Sequence, residues 1–269
     1  RQTRLRNVLS DAAPATVMIP RWLLLVGCLL LALVLQPSAA KKSDGPKITA
    51  TRFENEPVNL FYFEDSDTIL FQDADNGVVY RSFDGGVEWD VVDDEEGKMK
   101  GQVWSLWPHP FDNKRAYILG SSGRHWVTTD QAKTWTAFEL DAKPSILRAP
   151  LAFHGRDSKK VIFHGAQCAG FRCVEKTFYT TDDFETVSSL RDNSHGCSWA
   201  VGHPQFAEGL DAADEIENRV LCVVPGVKVP FSYANRLVYS DDFFRSDEEG
   251  IEMKLDQGRP VSGIISTAA

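Results

Sequence analysis

Beyond residue 40 the chain lacks any sustained helical spacing of apolar residues, which argues against a helical bundle and leaves an all-β fold. It also lacks an excess of basic side chains. The sequence holds 29 Lys and Arg against 38 Asp and Glu, a net charge of −9. Setting aside residues 1–40, with Arg1, Arg4, Arg6, Arg21 and Asp11, leaves 25 basic and 37 acidic side chains, a net of −12. That balance argues against nucleic acid and anionic membrane surfaces as partners. No Asn-x-Ser/Thr sequon occurs, so the chain offers no N-glycan acceptor.

Long apolar runs are confined to one place. Residues 22–35 are apolar throughout, follow Arg21 and lead into Pro37-Ser38-Ala39-Ala40. A run of 14 residues falls short of the ~20 needed to cross a bilayer. With small residues where a signal peptidase reads, it predicts a secretory signal peptide cleaved after Ala40. Met18 reads as the natural start and residues 1–17 as an upstream extension, so residues 1–40 are set apart from a domain at 41–269.

Cysteine is scarce as well, with five in the chain. Cys28 leaves with the leader, and secretion places Cys168, Cys173, Cys197 and Cys222 in an oxidising compartment. Four cysteines there read as two disulfides, for which three pairings are open. The expected pairing is Cys168–Cys173, a small loop stapled within itself, with Cys197–Cys222 tying the outer segment of a fourth repeat to its neighbour strand. The second bridge closes 25 residues and is worth about 3 kcal/mol by the loop-entropy relation. His164 and His195 lie near these cysteines in sequence, a donor set that zinc uses. Their spacings match no common finger, so neither a metal nor a cofactor is expected.

What the sequence does contain is a repeated octet. Ser82-Phe83-Asp84-Gly85-Gly86-Val87-Glu88-Trp89 has the pattern Ser/Thr-x-Asp-x-small-x-x-Trp, and Thr128-Thr129-Asp130-Gln131-Ala132-Lys133-Thr134-Trp135 fits it again. Weaker copies stand at Thr180-Thr181-Asp182-Asp183-Phe184 and at Tyr239-Ser240-Asp241-Asp242-Phe243. Taking Asp84, Asp130, Asp182 and Asp241, the steps are 46, 52 and 59 residues, the signature of a repeat architecture. Each copy follows a short β-branched or aromatic run, such as Arg124-His125-Trp126-Val127, with a more apolar run upstream, such as Ala116-Tyr117-Ile118-Leu119. A third strand follows the turn, as in Thr136-Ala137-Phe138-Glu139, and a fourth precedes the set, as in Val103-Trp104-Ser105-Leu106. Four antiparallel strands per ~50 residues predict β-propeller blades.

The octet has a mechanical reading. An Asp in a tight turn accepts hydrogen bonds from backbone amides a few residues on. Gly86 at the fifth position tolerates a positive φ. The Trp lies back over the sheet and buries its rings. Ser82, Asp84, Gly86, Trp89, Thr128, Asp130, Trp135, Thr180, Asp182 and Asp241 are thus expected to be structural clips. A calcium site would need six or more converging oxygens, and each octet offers one carboxylate. The run Asp93-Asp94-Glu95-Glu96 reads as a solvated loop. His109, His154 and His203 recur beside Pro or Gly before strand turns, as repeat positions and not as a catalytic base.

Blades are expected at about 48–92, 101–141, 145–191 and 197–256, with a fifth opening at 261. A propeller closes its ring or leaves an exposed edge, so an end in mid-blade reads as a piece of a longer protein.

The leader, the octets, and the phrases Trp104-Ser105-Leu106-Trp107-Pro108-His109-Pro110, His125-Trp126-Val127-Thr128-Thr129-Asp130 and Lys176-Thr177-Phe178-Tyr179-Thr180-Thr181-Asp182 resemble the start of the sortilin-type vacuolar protein sorting receptors, the fungal ones especially. The resemblance covers residues 41–269 and implies a ten-bladed propeller, a cysteine-rich module, one membrane span beyond this segment and a cytosolic tail. It implies no enzyme but a receptor carrying soluble vacuolar hydrolases, such as carboxypeptidase Y, from the late Golgi to the endosome. Binding would use the central tunnel or the top rim, where a ligand strand could add to an exposed inner strand.

Two other classes share these propellers. A sialidase-like glycosidase would need clustered arginines, for which Arg52, Arg81, Arg124 and Arg148 are candidates, yet no Phe-Arg-Ile-Pro motif precedes the first octet. A propeller scaffold without a transport role is the third class.

Overall fold

Period-two alternation sets which face each strand residue presents, and here the second strand of each repeat is apolar on both faces. Such a strand is stable only between two packed layers. The computed structural model supplies them, describing residues 48–170, 172–207, 214–229, 232–246 and 249–251. Sheet one is β1 (Val58–Tyr62), β2 (Ile69–Asp73), β3 (Val78–Ser82) and β4 (Asp90–Val91). Sheet two is β5 (Val103–Pro108), β6 (Ala116–Gly120), β7 (Arg124–Thr128) and β8 (Thr136–Glu139). The two-residue β9 (Lys143–Pro144) adds to sheet three, which is β10 (Leu151–Phe153), β11 (Val161–Ala169), β12 (Arg172–Thr180) and β13 (Ser188–Asp192). Sheet four is β14 (Cys197–Trp199), β15 (Val220–Val229), β16 (Ser232–Ser240) and β17 (Glu249–Ile251), with the single turn α1 (Pro204–Ala207) after β14.

Every sheet is an antiparallel meander in chain order. The first strands neighbour one another, β1 against β5 and β10 against β14. A hydrophobic core lies between each successive pair of sheets. Leu70 and Val79 meet Leu106, Ile118 and Trp126; Tyr117, Leu119 and Val127 meet Val161 and Phe163; Ile162 and Tyr179 meet Trp199, Val220 and Cys222. Tyr117 and Ile118, adjacent on β6, therefore serve different cores, and β6 is buried along its whole length. Meandering sheets stacked face to face around their first strands make an all-β propeller architecture.

The first strand of sheet one opens at Val58. The preceding segment lays Phe53 against the rings of Phe71, Tyr80 and Trp89, at 4.5, 5.5 and 5.5 Å. The acidic run is not simply a solvated loop. The Asp94 carboxylate accepts from Trp126 Nε1 at 2.8 Å and pairs with Arg124 at 3.2 Å, so it clasps sheet one to sheet two. The expected cleavage at Ala40, Cys28 and the opening of a fifth repeat at 261 lie outside the described residues.

Both disulfides form as expected. Cys168 faces Cys173 across β11 and β12, and Cys197 faces Cys222 across β14 and β15. Cys197, however, sits on the first strand of its sheet and not on an outer segment. Among the described residues no helix is long and apolar enough to cross a membrane.

Candidate functional site

Each octet folds into the same turn between the third and fourth strands of its sheet. Ser82 Oγ donates to Asp84 Oδ1 at 2.8 Å and accepts the Gly86 N–H at 2.8 Å. Asp84 Oδ1 then accepts the N–H groups of Val87 and Glu88, each at 3.0 Å. Thr128 repeats this toward Asp130 and Ala132, and Thr180 toward Asp182 and Phe184. In the fourth octet the carboxylate is Asp242, which accepts from Ser240 at 2.8 Å and from the Ser246 N–H at 3.0 Å. Asp241 does not fill the position expected of it. It turns outward to Arg219 at 2.8 Å, because only the residue two after the hydroxyl reaches back into the turn. Hydrogen bonds hold all four carboxyls below the ordinary range, from the Glu88 N–H at Asp84 and from Ser246 at Asp242. At Asp130 and Asp182 burial pushes the other way, and the bonds from Thr134 and Thr186 outweigh it.

The turn needs two successive left-handed residues, and glycine supplies them only once. φ is 72° and 94° at Gly85 and Gly86, but 61° and 65° at Gln131 and Ala132, 60° and 66° at Asp183 and Phe184, and 63° and 58° at Phe243 and Phe244. The third and fourth octets, which lack the Trp, put these phenylalanines to use. Phe184 stacks on Phe138 of the preceding sheet at 4.0 Å, and Phe243 on Tyr179 at 4.1 Å. Trp135 is buried in the first core and Trp89 is only half-buried.

The recurring histidines close a second kind of turn. The Nδ1 atoms of His109, His154 and His203 accept the N–H groups of Phe111, Arg156 and Gln205, at 3.1, 3.1 and 3.2 Å. His154 Nε2 also reaches the Glu217 carbonyl of sheet four at 3.0 Å. His164 joins the same two sheets, with Nδ1 at 2.9 Å from the Ala149 carbonyl and Nε2 accepting the Cys197 N–H at 3.0 Å. Burial pushes His109, His125 and His164 down to about 4, and lowers His154 as well. The candidate arginines do not converge. Arg81 reaches the Ala132 carbonyl, Arg124 pairs with Asp94, Glu96 and Glu139, and Arg148 pairs with Glu175.

The first strands and the loops beside them line an open cavity of about 1230 Å³. Leu60, Phe61, Leu106, Trp107 and Phe111 form its apolar wall, and Arg148, His164, His195 and His203 supply its ionisable groups. No Asp, Glu or Lys lines it. Among the described residues no group of His, Cys, Asp and Glu is disposed to hold a metal ion. Such a wall can bind an apolar segment, but it offers no pair of carboxylates for general acid and base work. Sequence reasoning missed this cavity, because its residues come from four separate first strands.

Repeated octet turns, meander sheets and a shared wall of first strands define an Asp-box β-propeller. The profile of the Sortilin-Vps10 family (sortilin, neurotensin receptor 3) matches residues 77–268, and the chain belongs to this family. It is 60% identical over 252 residues to vacuolar protein sorting/targeting protein 10 of Neosartorya fischeri, and 58% identical over 252 residues to that of Aspergillus terreus. Each alignment covers 94% of this chain and 17% of the relative, so the chain spans about a sixth of their length. The protein of that name from Blastomyces gilchristii is 53% identical over 249 residues, covering 93% of this chain and 16% of the relative. Among solved structures, a xyloglucanase from Xanthomonas campestris is similar with a TM-score of 0.37 and 12% identity, over 71% of this chain and 29% of the other. YCF48 from Cyanidioschyzon merolae has a TM-score of 0.39 and 13% identity, over 76% and 58%.

Proposed function

We propose that the chain is the propeller segment of a sorting receptor. It takes soluble vacuolar hydrolases, carboxypeptidase Y among them, from the late Golgi to the endosome on the way to the vacuole, and it performs no catalysis. The observation that carries this reading is the 60% identity, over 94% of the chain, to a protein named for vacuolar sorting and targeting. The two disulfides agree with a lumenal segment of the secretory pathway. The reading includes cleavage after Ala40, blades at about 48–92, 101–141, 145–191 and 197–256 in a ten-bladed ring, a membrane span beyond this segment, and octets that act as clips. Cargo meets the wall of first strands. That wall favours binding over glycoside hydrolysis, which needs two flanking carboxylates that its lining does not offer.

The test is to delete the gene in its own fungus and assay carboxypeptidase Y in the medium. Secretion of the enzyme is expected, and its full retention in the vacuole sinks the proposal.

A further inference from the structure

The two disulfides stand in opposite surroundings. Cys197 and Cys222 are 4% and 0% exposed, inside the core between sheets three and four. Cys168 and Cys173 are exposed, as is every described residue from Gln167 to Val174. That exposure arises because the hairpin of β11 and β12 outruns its neighbours. β10 pairs with β11 only as far as Phe163, and β9 only as far as Ala166. On the other side β13 pairs no further than Lys176, beyond which the Asn193 N–H donates to the Glu175 carbonyl at 3.0 Å. The tip is thus a two-stranded ribbon in solvent, tethered sideways by Gln167 Nε2, which donates to Asp141 at 3.0 Å.

A bridge on such a ribbon can open without disturbing a core. All nine residues of β11 are paired with β12, so the ladder below the bridge holds without it. Ala169 pairs with Arg172, and the two-residue connection between them begins at Gly170, whose φ is 62°. A 5-residue loop gives this bridge less chain-entropy support than the 25-residue loop gives the other. Solvent-exposed bridges are the ones that exchange with thiols. Charge names the thiol. Arg172 is the one charged side chain in the sequence from 167 to 174, and Glu175 is paired with Arg148 at 3.3 Å. A guanidinium one residue from Cys173 attracts an anionic thiolate.

We propose that Cys168–Cys173 is a site of reversible thiol–disulfide exchange with small anionic thiols of the glutathione class, while Cys197–Cys222 stays closed. The thiolate attacks one bridge sulfur, the Cys168–Cys173 bond breaks, and the departing cysteine thiolate takes a proton from water. A second thiolate then attacks the mixed disulfide. It leaves as the oxidised dimer, and the other cysteine takes its proton, so two electrons pass from the thiols to the bridge. Opening frees the ribbon tip and leaves the sheet below it intact. No residue from 167 to 174 lines the cavity, and the inference does not rest on the receptor reading.

The test treats the full-length natural protein with glutathione, traps free thiols with an alkylating reagent and reads each cysteine by mass spectrometry. Cys168 and Cys173 are expected to be labelled about tenfold faster than Cys197 and Cys222, with a glutathione adduct on one of the pair. The circular dichroism of the folded protein is expected to persist. Limited trypsin should cut after Arg172 about tenfold faster in the treated protein, since cleavage follows the population of the open tip. The Cys168→Ser/Cys173→Ser variant should be cut at that faster rate with or without glutathione. Arg172→Gln, which alters an exposed side chain, is expected to slow glutathione about threefold and to leave the neutral 2-mercaptoethanol unchanged. Equal labelling of both pairs, labelling of Cys168 and Cys173 only in denaturant, loss of the folded signal, or unchanged cutting by trypsin overturns the proposal. An Arg172→Gln protein that keeps the parent's rate toward glutathione overturns the anionic thiol class.

Discussion

At the residue scale the octet turn is a hydroxyl that donates to a carboxylate while both oxygens accept backbone N–H groups of the turn. Thr180 Oγ1 accepts the buried Phe184 N–H at 2.9 Å. Thr180→Val keeps the shape and strands that donor, so it should cost about 1–3 kcal/mol, read as a fall in denaturation midpoint. Loss of less than half a kcal/mol would mean that the turn closes without the hydroxyl. Backbone strain makes the opposite case. Gln131 holds a φ of 61°, a region that penalises a β-carbon. Gln131→Gly should therefore raise stability by up to about 1 kcal/mol, since the backbone bond to the Lys114 carbonyl survives. A lower melting temperature would show that the side chain matters more than the φ. Ser82, Thr128 and Thr180 were legible from the pattern alone. The fourth carboxylate was not, because two aspartates stand side by side and only the folded turn separates Asp242, inside, from Asp241, outside.

Between elements, what counts is which core a side chain enters. The two octet tryptophans are equivalent in sequence, and the fold makes them unequal. Trp135 is 8% exposed in the core between sheets one and two, so Trp135→Ala should cost about 3–5 kcal/mol. Trp89 is half-buried, covered by Phe53 and Phe71, and Trp89→Ala should cost clearly less. Equal losses in thermal melts would contradict this division. Trp126, fully buried, donates Nε1–H to Asp94 and joins the first two sheets by a polar bond as well as by packing. The bridges differ too. Opening the 25-residue loop of Cys197–Cys222 should cost about 3 kcal/mol against about 2 kcal/mol for the 5-residue loop of Cys168–Cys173. Paired Cys→Ala variants, unfolded by denaturant, test that order.

Among the described residues, buried neutral imidazoles recur across the sheets, and His154 and His164 join sheet three to the residues of sheet four. His109, His125 and His164 sit near pKa 4 because burial disfavours their charged form, and His154 is lowered for the same reason. The unfolded chain binds these protons near the ordinary value of 6.5, so it holds more protons than the folded state between pH 6.5 and 4. Their stabilisation is complete above pH 6.5 and is lost as pH falls toward 4. The box aspartates are shifted the same way from 3.8, and their contribution is lost only at still lower pH. Calorimetry should give a level melting temperature from pH 8 to 7 and a steep decline from pH 6 to 4. A level profile down to pH 4 would mean that these histidines are hydrated and free to charge.

The sequence by itself determined what depends on local chemistry. The alternation of strands, the turn residues at fixed offsets, the pairing of the four cysteines beyond residue 40 and the repeat step were each readable, because a hairpin and its clip are specified within ~10 residues. The histidines at 109, 154 and 203 were readable as repeat positions for the same reason. Only the tertiary structure decided what depends on neighbours far apart in the chain. It drew Asp94 out of an acidic loop to meet Trp126, and it set Phe184 and Phe243 on rings of the preceding sheet in place of the missing tryptophans. It also assembled an acid-free cavity from four first strands. The reason is physical: side chains from different blades share a wall only once the sheets have stacked, and no local pattern encodes which residues will face one another there.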